Sequence, residues 1–342
     1  MSELGVKTAL DGFSGSTRVS QALAKSGYDV TSNDRSVISY VLANCYLNTQ
    51  KDKSYYASLI NHLNNLKPVE GWFTENYGGL PNNGVSEQID GLKKPWQIHN
   101  TKKLDAIRDE IELLGLDEQD KYVALTSLIL ALDKVDNTLG HFVSYLKKWS
   151  PRSYKQLSLV VPDYTIFPEN SHTVLNEDIF EVIKHNSYDL VYLDPPYGSN
   201  NEKMPPSRVR YSSYYHLWTT ICLNDKPELF GKSKRRLDTS DKVNPSVFEE
   251  YRKSESGKYL AIQALDDLIE SVNARYILLS YSSGGRATAD ELQNVINKHG
   301  NLINLLSLSH AKNVMSGMKW TNDWVSKSQE PHQEFLFLIK KA

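Results

Sequence analysis

Asp194, Pro195, Pro196 and Tyr197 come directly after the apolar run Tyr188–Leu193, and this tetrapeptide carries the most specific chemistry in the chain. A buried strand delivers the residues after it to the carboxyl edge of an open α/β sheet, where such folds bind ligands. There Asp194 can accept one hydrogen of an exocyclic amine, and a backbone carbonyl of the proline pair can accept the other. The N6 amine of adenine delocalises its lone pair into the ring and is a poor nucleophile. Two acceptors on its hydrogens favour a pyramidal nitrogen whose lone pair points at a methyl donor. The prolines fix φ and bring no competing N–H. Tyr197 offers a ring face to a base drawn out of the stack. Asp194 is read as orienting the amine and taking its proton after transfer, because that proton is too weakly acidic to leave first. The plain alternative is a turn after a strand.

A second group of residues lies near the N-terminus, in Asp11-Gly12-Phe13-Ser14-Gly15-Ser16-Thr17. A glycine-rich turn after a first strand lets backbone approach a ligand and leaves helix N–H groups free. It has neither the spacing of a dinucleotide fingerprint nor the lysine of a phosphate loop. Asp34, at the end of the next strand, is placed to accept the ribose hydroxyls of a nucleoside. Asp178 and Ile179 precede the Asp194 strand and could hold an adenine ring by its amino group and face; a helix N-cap at Asp178 is an equal reading. The candidate cofactor set is therefore Asp11, Phe13, Gly15, Ser16, Thr17, Asp34, Asp178 and Ile179.

Both ends of the chain supply the elements that would position these groups. Residues 6–11 read as a strand, followed by the turn and a helix with Val19, Ala22 and Leu23 on one face. Gly27 stops that helix and residues 28–31 start a second strand, the order of a parallel βαβ unit. The alternation returns with strands at 188–193 and 276–281, a helix over 258–273, and a helix from the Thr288/Glu291 capping box to His299. Residues 302–308 and 334–339 complete the sheet. The middle differs in texture: Leu104, Ile107, Ile111 and Leu114, then 123–132, are helical, between polar aromatic loops such as 71–84. The expected architecture is an α/β, Rossmann-like sheet of residues 1–44 and 166–342, with a helical insertion at 45–165. Residues 198–245 read as irregular.

The chain has 342 residues, 40% of them hydrophobic and 23% charged, with a net charge of −2. Mean hydropathy is −0.48. This composition implies a globular protein with an ample core, and no apolar run long enough for a membrane span. The first residues show no secretory signal, and Cys45 and Cys222 lack metal-ligand or redox spacing. A cytoplasmic location without a metal site is expected. The small negative charge leaves nucleic-acid binding to local clusters, at Lys93-Lys94, Lys102-Lys103, Lys147-Lys148, Arg208-Arg210 and Lys232–Arg236. Taken singly, each cluster reads first as a solvated face.

Taken together, the sequence resembles the D12 class of N6-adenine-specific DNA methyltransferases. The F-x-G-x-G cofactor turn of that family matches at Phe13 and Gly15, with Thr17 in place of the second glycine. Its catalytic motif matches Asp194–Tyr197 in full. The stretches at 133–149, 211–221 and 279–285 are also similar to segments of this family. The family commonly has a further Gly- and Lys-rich cofactor segment before the glycine turn, whereas ten residues precede Asp11 here. The resemblance implies S-adenosyl-L-methionine as cofactor, double-stranded DNA as partner, and a cognate restriction endonuclease acting on the same site. It implies target recognition by the region between the two motifs, and DNA contacts from Tyr211, Tyr215 and His216. Arg208, Arg210, Lys234, Arg235 and Arg236 are expected to grip phosphates beside the extruded base, in a segment that orders on binding. Two alternatives stay open: an N4-cytosine or RNA amino-methyltransferase of the same fold, and a non-catalytic nucleic-acid-binding module.

Overall fold

The computed structural model describes residues 4–198, 210–240, 246–309 and 333–342. The chain divides into two compact units, one of Met1–Arg35, His172–Arg210 and Pro245–Ala342, the other of Ser36–Ser171 and Tyr211–Asn244.

The first unit is built on a seven-stranded sheet. Its strands are β1 (Thr8–Asp11), β2 (Asp29–Asn33), β3 (Thr173–Leu175), β4 (Tyr188–Leu193), β5 (Ala274–Ser282), β6 (Gly300–Ser309) and β7 (Gln333–Lys341). Their order across the sheet is β6-β7-β5-β4-β1-β2-β3. β3 to β5 pair in parallel through β2, β1 and β4, while β7 runs antiparallel between β5 and β6. Leu10, Val191, Leu193, Ile277 and Leu279 are buried in one cluster with Leu265, Leu268 and Ile269 of the helix Leu260–Ser271. Strands covered on both faces read as continuous apolar runs, and this makes Tyr188–Leu193 recognisable. The capping box forms as expected: the Thr288 hydroxyl accepts from the Glu291 N–H, and the Glu291 carboxylate accepts from the Thr288 N–H.

The chain leaves β1 toward β2 and β3, and returns to β4 on the other side. Asp11 lies opposite Tyr192 in the β1–β4 register, so the carboxyl ends of these strands adjoin where the strand order reverses. That crevice is where open α/β sheets take their ligands.

One detail of the first helix, Arg18–Lys25, departs from the sequence reading. Ser20, Gln21, Leu23 and Ala24 face inward and Ala22 is exposed. Ser20 turns in because the buried Asp11 carboxylate needs a donor: its hydroxyl donates to Asp11 Oδ2 at 2.6 Å.

The second unit is helical, with helices Val37–Asn48, Lys53–Asn65, Trp72–Tyr77, Ile98–Leu113 and Glu118–Asp133, and also Tyr211–Tyr214 and His216–Leu223. Its core gathers Leu63, Phe73, Trp96, Leu104, Ile107, Leu128 and Leu132 with Phe142, Leu217, Trp218 and Ile221. The segment 211–240, read as irregular, is therefore folded. Leu217, Trp218 and Ile221 bury one face of its second helix. The fully buried Arg108 guanidinium donates to the carbonyls of Ile221 (2.6 Å) and Cys222 (3.1 Å), which have no intrahelical partner in the last turn. A charge-rich sequence hid an apolar anchor. Cys45 and Cys222 are both buried in this unit, and burial pushes both thiols up to about 12. Among the described residues no helix is long and apolar enough to cross a membrane, and no three His, Cys, Asp or Glu side chains group to hold a metal ion.

Candidate active site

The site begins at the end of β1. The Asp11 carboxylate is fully buried, and its Oδ1 has no hydrogen-bond partner. Burial first, and the nearby Asp34 and Asp194 charges as well, push its pKa up to about 7 against the opposing Ser20 hydrogen bond. An unanswered buried carboxylate oxygen is costly unless a donor arrives from outside. Gly12 comes next, packed so closely that a Cβ there would lie 2.9 Å from Ile179 Cδ1 and 3.2 Å from Leu193 Cδ2. Gly15 and Thr17 turn the chain through the left-handed region, with φ of 47° and 65°. Glycine enters that region freely, whereas a β-branched residue such as Thr17 is strained there. Thr17 is held by burial and by the Gln21 amide, which donates to its hydroxyl at 2.9 Å.

The expected cofactor residues meet around this turn. The Gly15 N–H donates to Asp34 Oδ2 at 2.8 Å, so this carboxylate braces the glycine turn as well as edging the crevice. Phe13 packs edge-on against Phe248, and Phe248 stacks on Phe180. Asp178 caps the helix Ile179–His185 by accepting from the Phe180 N–H at 3.0 Å, the second of its two readings, and lies 3.6 Å from the Arg35 guanidinium. Ile179 is buried against Gly12 and supports the turn from below. Ser16 stays exposed at the tip of the turn. Asn33, which the sequence reading passed over, ties the loops together. Its amide donates to the carbonyls of Gly12 (3.4 Å) and Glu177 (3.2 Å), and its Oδ1 accepts from the Glu177 N–H. A lone polar residue at a strand end gives no sequence signal of such a role.

Asp194 begins the loop after β4, adjoining this crevice. Burial raises its pKa above the usual carboxylate range, against hydrogen bonds from Tyr197, Tyr192 and Ser280. Pro195 is buried and Pro196 half-buried. Tyr197, expected to serve through its ring, also uses its hydroxyl. That hydroxyl contacts Asp194 Oδ1, Glu334 Oε1 (2.6 Å) and Ser280 Oγ (3.2 Å), and its ring leans on Tyr281 at 4.9 Å. Glu334 and Ser280 come from β7 and β5, and neither stood out in the sequence.

The basic residues of the helical unit have partners of their own. Arg236 is buried and its guanidinium is bidentate to Asp225 (2.7 Å on both oxygens) and paired to Asp238. It is a structural ion pair, a correction to its expected place on a phosphate: charge counting along the chain cannot see a counter-charge folded onto it. Arg210, which belongs to the first unit, is buried as well. His216 is fully buried, with Nε2 3.1 Å from the Phe142 carbonyl, and burial pushes its pKa down to about 3. It stays neutral and cannot attract a phosphate by charge. Lys234 Nζ donates to Asn76 Oδ1 at 3.0 Å, while Arg235 lies over the Phe230 ring and donates to Ser213; both stay half-buried. Tyr211 and Tyr215 are exposed and cluster with Tyr214. Arg208 lies outside the described residues.

Comparison with known proteins matches residues 1–282 to the family described as D12 class N6 adenine-specific DNA methyltransferase. The chain is 30% identical to modification methylase StsI of Streptococcus sanguinis, over 97% of this chain and 47% of the relative. It is 28% identical to type II methyltransferase M.FokI of Planomicrobium okeanokoites, over 97% and 48%. With type II methyltransferase M.NlaIII of Neisseria lactamica it shares 27%, over 87% of this chain and 81% of that one. The chain thus spans about half the length of the first two relatives and most of the third.

Proposed function

The chain belongs to the D12 class of N6 adenine-specific DNA methyltransferases, and we propose that it methylates the N6 amine of an adenine extruded from double-stranded DNA, as the modification enzyme of a restriction–modification system. A methyltransferase of this class takes its methyl group from S-adenosylmethionine. The observation that carries the reading is the meeting of Asp11 and Asp194 at the β1–β4 switch point, one carboxylate for each partner of the reaction.

The residues present fit the cofactor. Asp11 Oδ1 is a buried acceptor in want of a donor, which the ammonium group of the methionine moiety supplies. Gly12 packs on Ile179 and Leu193 just before the Phe13–Thr17 turn, and that turn offers backbone to the ligand. Asp34 takes the ribose, with Asp178 and Ile179 toward the adenine ring. Bound there, the cofactor supplies an electrophilic methyl group.

Asp194 accepts one N6 hydrogen and a carbonyl of the Pro195–Pro196 pair accepts the other, so the amine lone pair is drawn out of conjugation. Asp194 then holds the proton that the methylated nitrogen sheds. Tyr197 stacks on the base. In the helical unit, polar and aromatic loops read base edges, and Tyr211, Tyr215, Lys234 and Arg235 meet the DNA backbone and displaced bases. The enzyme works in the cytoplasm, where its two buried thiols remain reduced, beside an endonuclease of the same specificity.

The test is methylation mapping of plasmid DNA by long-read sequencing after expression in a methylation-free host. The expected result is N6-methyladenine at one recurring sequence, absent with Asp194→Ala. Methylated cytosine, or no mark with a folded protein, would overturn the reading.

A further inference from the structure

The DPPY loop is wired to two residues far along the chain. Tyr197 Oη lies against Asp194 Oδ1 on one side and 2.6 Å from Glu334 Oε1 on the other. Ser280 Oγ donates to the same Glu334 oxygen at 2.8 Å. Strand order brings this about: β4, β5 and β7 are consecutive neighbours, and Glu334 at the start of β7 lies opposite Ser282 on β5.

A phenol has one hydrogen, and here two carboxyl groups claim it. If both were ionised, one would face the phenol oxygen lone pair to lone pair, and two like charges would crowd one oxygen. Carboxylate pairs in such a setting share a proton and titrate as a pair. The contacts are satisfied when the group holds one further proton, in the chain Asp194–H, Tyr197 O–H, Glu334 carboxylate.

We propose that Glu334 shares one proton with Asp194 across the Tyr197 hydroxyl, and receives through it the proton that would otherwise keep Asp194 from accepting the substrate amine. The proposal rests on the methyl-transfer reading above. In the free protein the extra proton sits on Asp194, because Glu334 accepts from both Tyr197 and Ser280. Asp194 is faced by Asp11 from β1, Tyr192 from β4, Ser280 from β5, Glu334 from β7 and Tyr197 from its own loop. When the amine arrives, the Asp194 proton passes to Tyr197 Oη as the phenol hydrogen passes to Glu334. Asp194 is then an anion, Tyr197 is neutral and Glu334 is protonated. Methyl transfer breaks the S–CH3 bond and forms the N–CH3 bond, and the cationic nitrogen gives one proton to Asp194. Glu334 releases its proton to water, which restores the starting state with one proton lost per turnover. Glu334 is thus a positioning residue that acts on the base through Asp194.

Two measurements test this. Infrared difference spectroscopy of the whole protein with carbon-13 aspartate and glutamate, in an Asp11→Asn background that removes the other aspartate titrating near 7, should show a protonated aspartate carboxyl near neutral pH. In Glu334→Gln, which keeps an acceptor for Tyr197 and Ser280 but no second carboxyl, that band should titrate away at least about one pH unit lower. Single-turnover methyl transfer should show the same shift of its acid limb, and steady-state kcat should fall about tenfold further than the single-turnover rate. Glu334→Asp should recover part of both. A parent protein with no protonated carboxyl at neutral pH, or a folded Glu334→Gln whose band and acid limb titrate as in its parent, would overturn the proposal. The infrared reading needs no activity, and DNA methylation is scored separately on the wild-type protein. A carboxyl band without DNA methylation would therefore defeat the functional reading and leave the proton sharing intact.

Discussion

Replacing Ser20 with alanine should weaken S-adenosylmethionine binding in a way that depends on pH. The Ser20 hydroxyl donates to Asp11 Oδ2 at 2.6 Å inside a fully buried site. The pKa of Asp11 stands at about 7 because burial outweighs that bond. On the proposed function only ionised Asp11 pairs with the cofactor ammonium, so the dissociation constant carries the factor 1 + 10^(pKa − pH). A raised carboxyl pKa therefore makes binding weaker as pH falls below 7 and leaves it full above. From pH 8 to pH 6 this factor alone should weaken wild-type binding about tenfold, roughly 1.4 kcal/mol. A hydrogen bond to a charged group contributes about 1.5–3 kcal/mol, so its loss should raise the Asp11 pKa by about one to two units. Ser20→Ala should then bind about five- to fiftyfold more weakly than wild type at pH 7, and recover toward pH 9. Isothermal calorimetry in buffers of different ionisation enthalpy reads both affinity and protons. Asp11 should contribute a release of about 0.9 proton per cofactor at pH 6 and about 0.1 at pH 8 in wild type, on top of the uptake by the cofactor amine that both proteins share. The cofactor amine titrates identically with both proteins, so the ratio of their affinities isolates Asp11. A loss that is the same at every pH, or binding without the Asp11 share of proton release, would refute the coupling of Ser20 to Asp11 and of Asp11 to the ammonium.

Four further outcomes are expected. Asp194→Ala should lower kcat by roughly 10^2–10^4-fold with DNA affinity by gel shift nearly unchanged, and a fully active variant would remove Asp194 from the chemistry. Arg236→Ala should destabilise the helical unit by about 1–3 kcal/mol in denaturant titration, while leaving the salt dependence of DNA binding as it was. Lys234→Ala with Arg235→Ala should instead flatten the log K versus log salt slope by about 0.9 for each phosphate no longer neutralised; a flattened slope in Arg236→Ala would show that its ion pairs open on DNA. At position 17, alanine and glycine both delete the hydroxyl, so the glycine variant should be the more stable by about 1 kcal/mol on account of the left-handed φ of 65°. Equal thermal stabilities would mean that the turn relaxes when the side chain is cut.

The sequence by itself determined the parts whose signal is local. Tyr188–Leu193 is a strand because six residues alternate between two buried faces of a sheet, and the Asp194–Tyr197 motif continues from it without a break. The Thr288/Glu291 box starts its helix because both partners lie within one turn. The Gly-rich stretch after Asp11 announces a tight turn. Only the tertiary structure decided the rest. Ser20 lies nine residues from Asp11, yet its orientation depends on which face of a short helix the sheet covers. Arg236 looks like its neighbours Lys234 and Arg235 in a basic run; a fold that sets Asp225 and Asp238 beside it makes it internal. Glu334 stands 137 positions from Tyr197, and they meet because β7 inserts antiparallel beside β5. Backbone periodicity and capping act over a few residues and leave a mark in the chain. The partner of a charge or a hydroxyl is set by strand order and packing, and these bring together residues whose separation in sequence carries no record of their meeting.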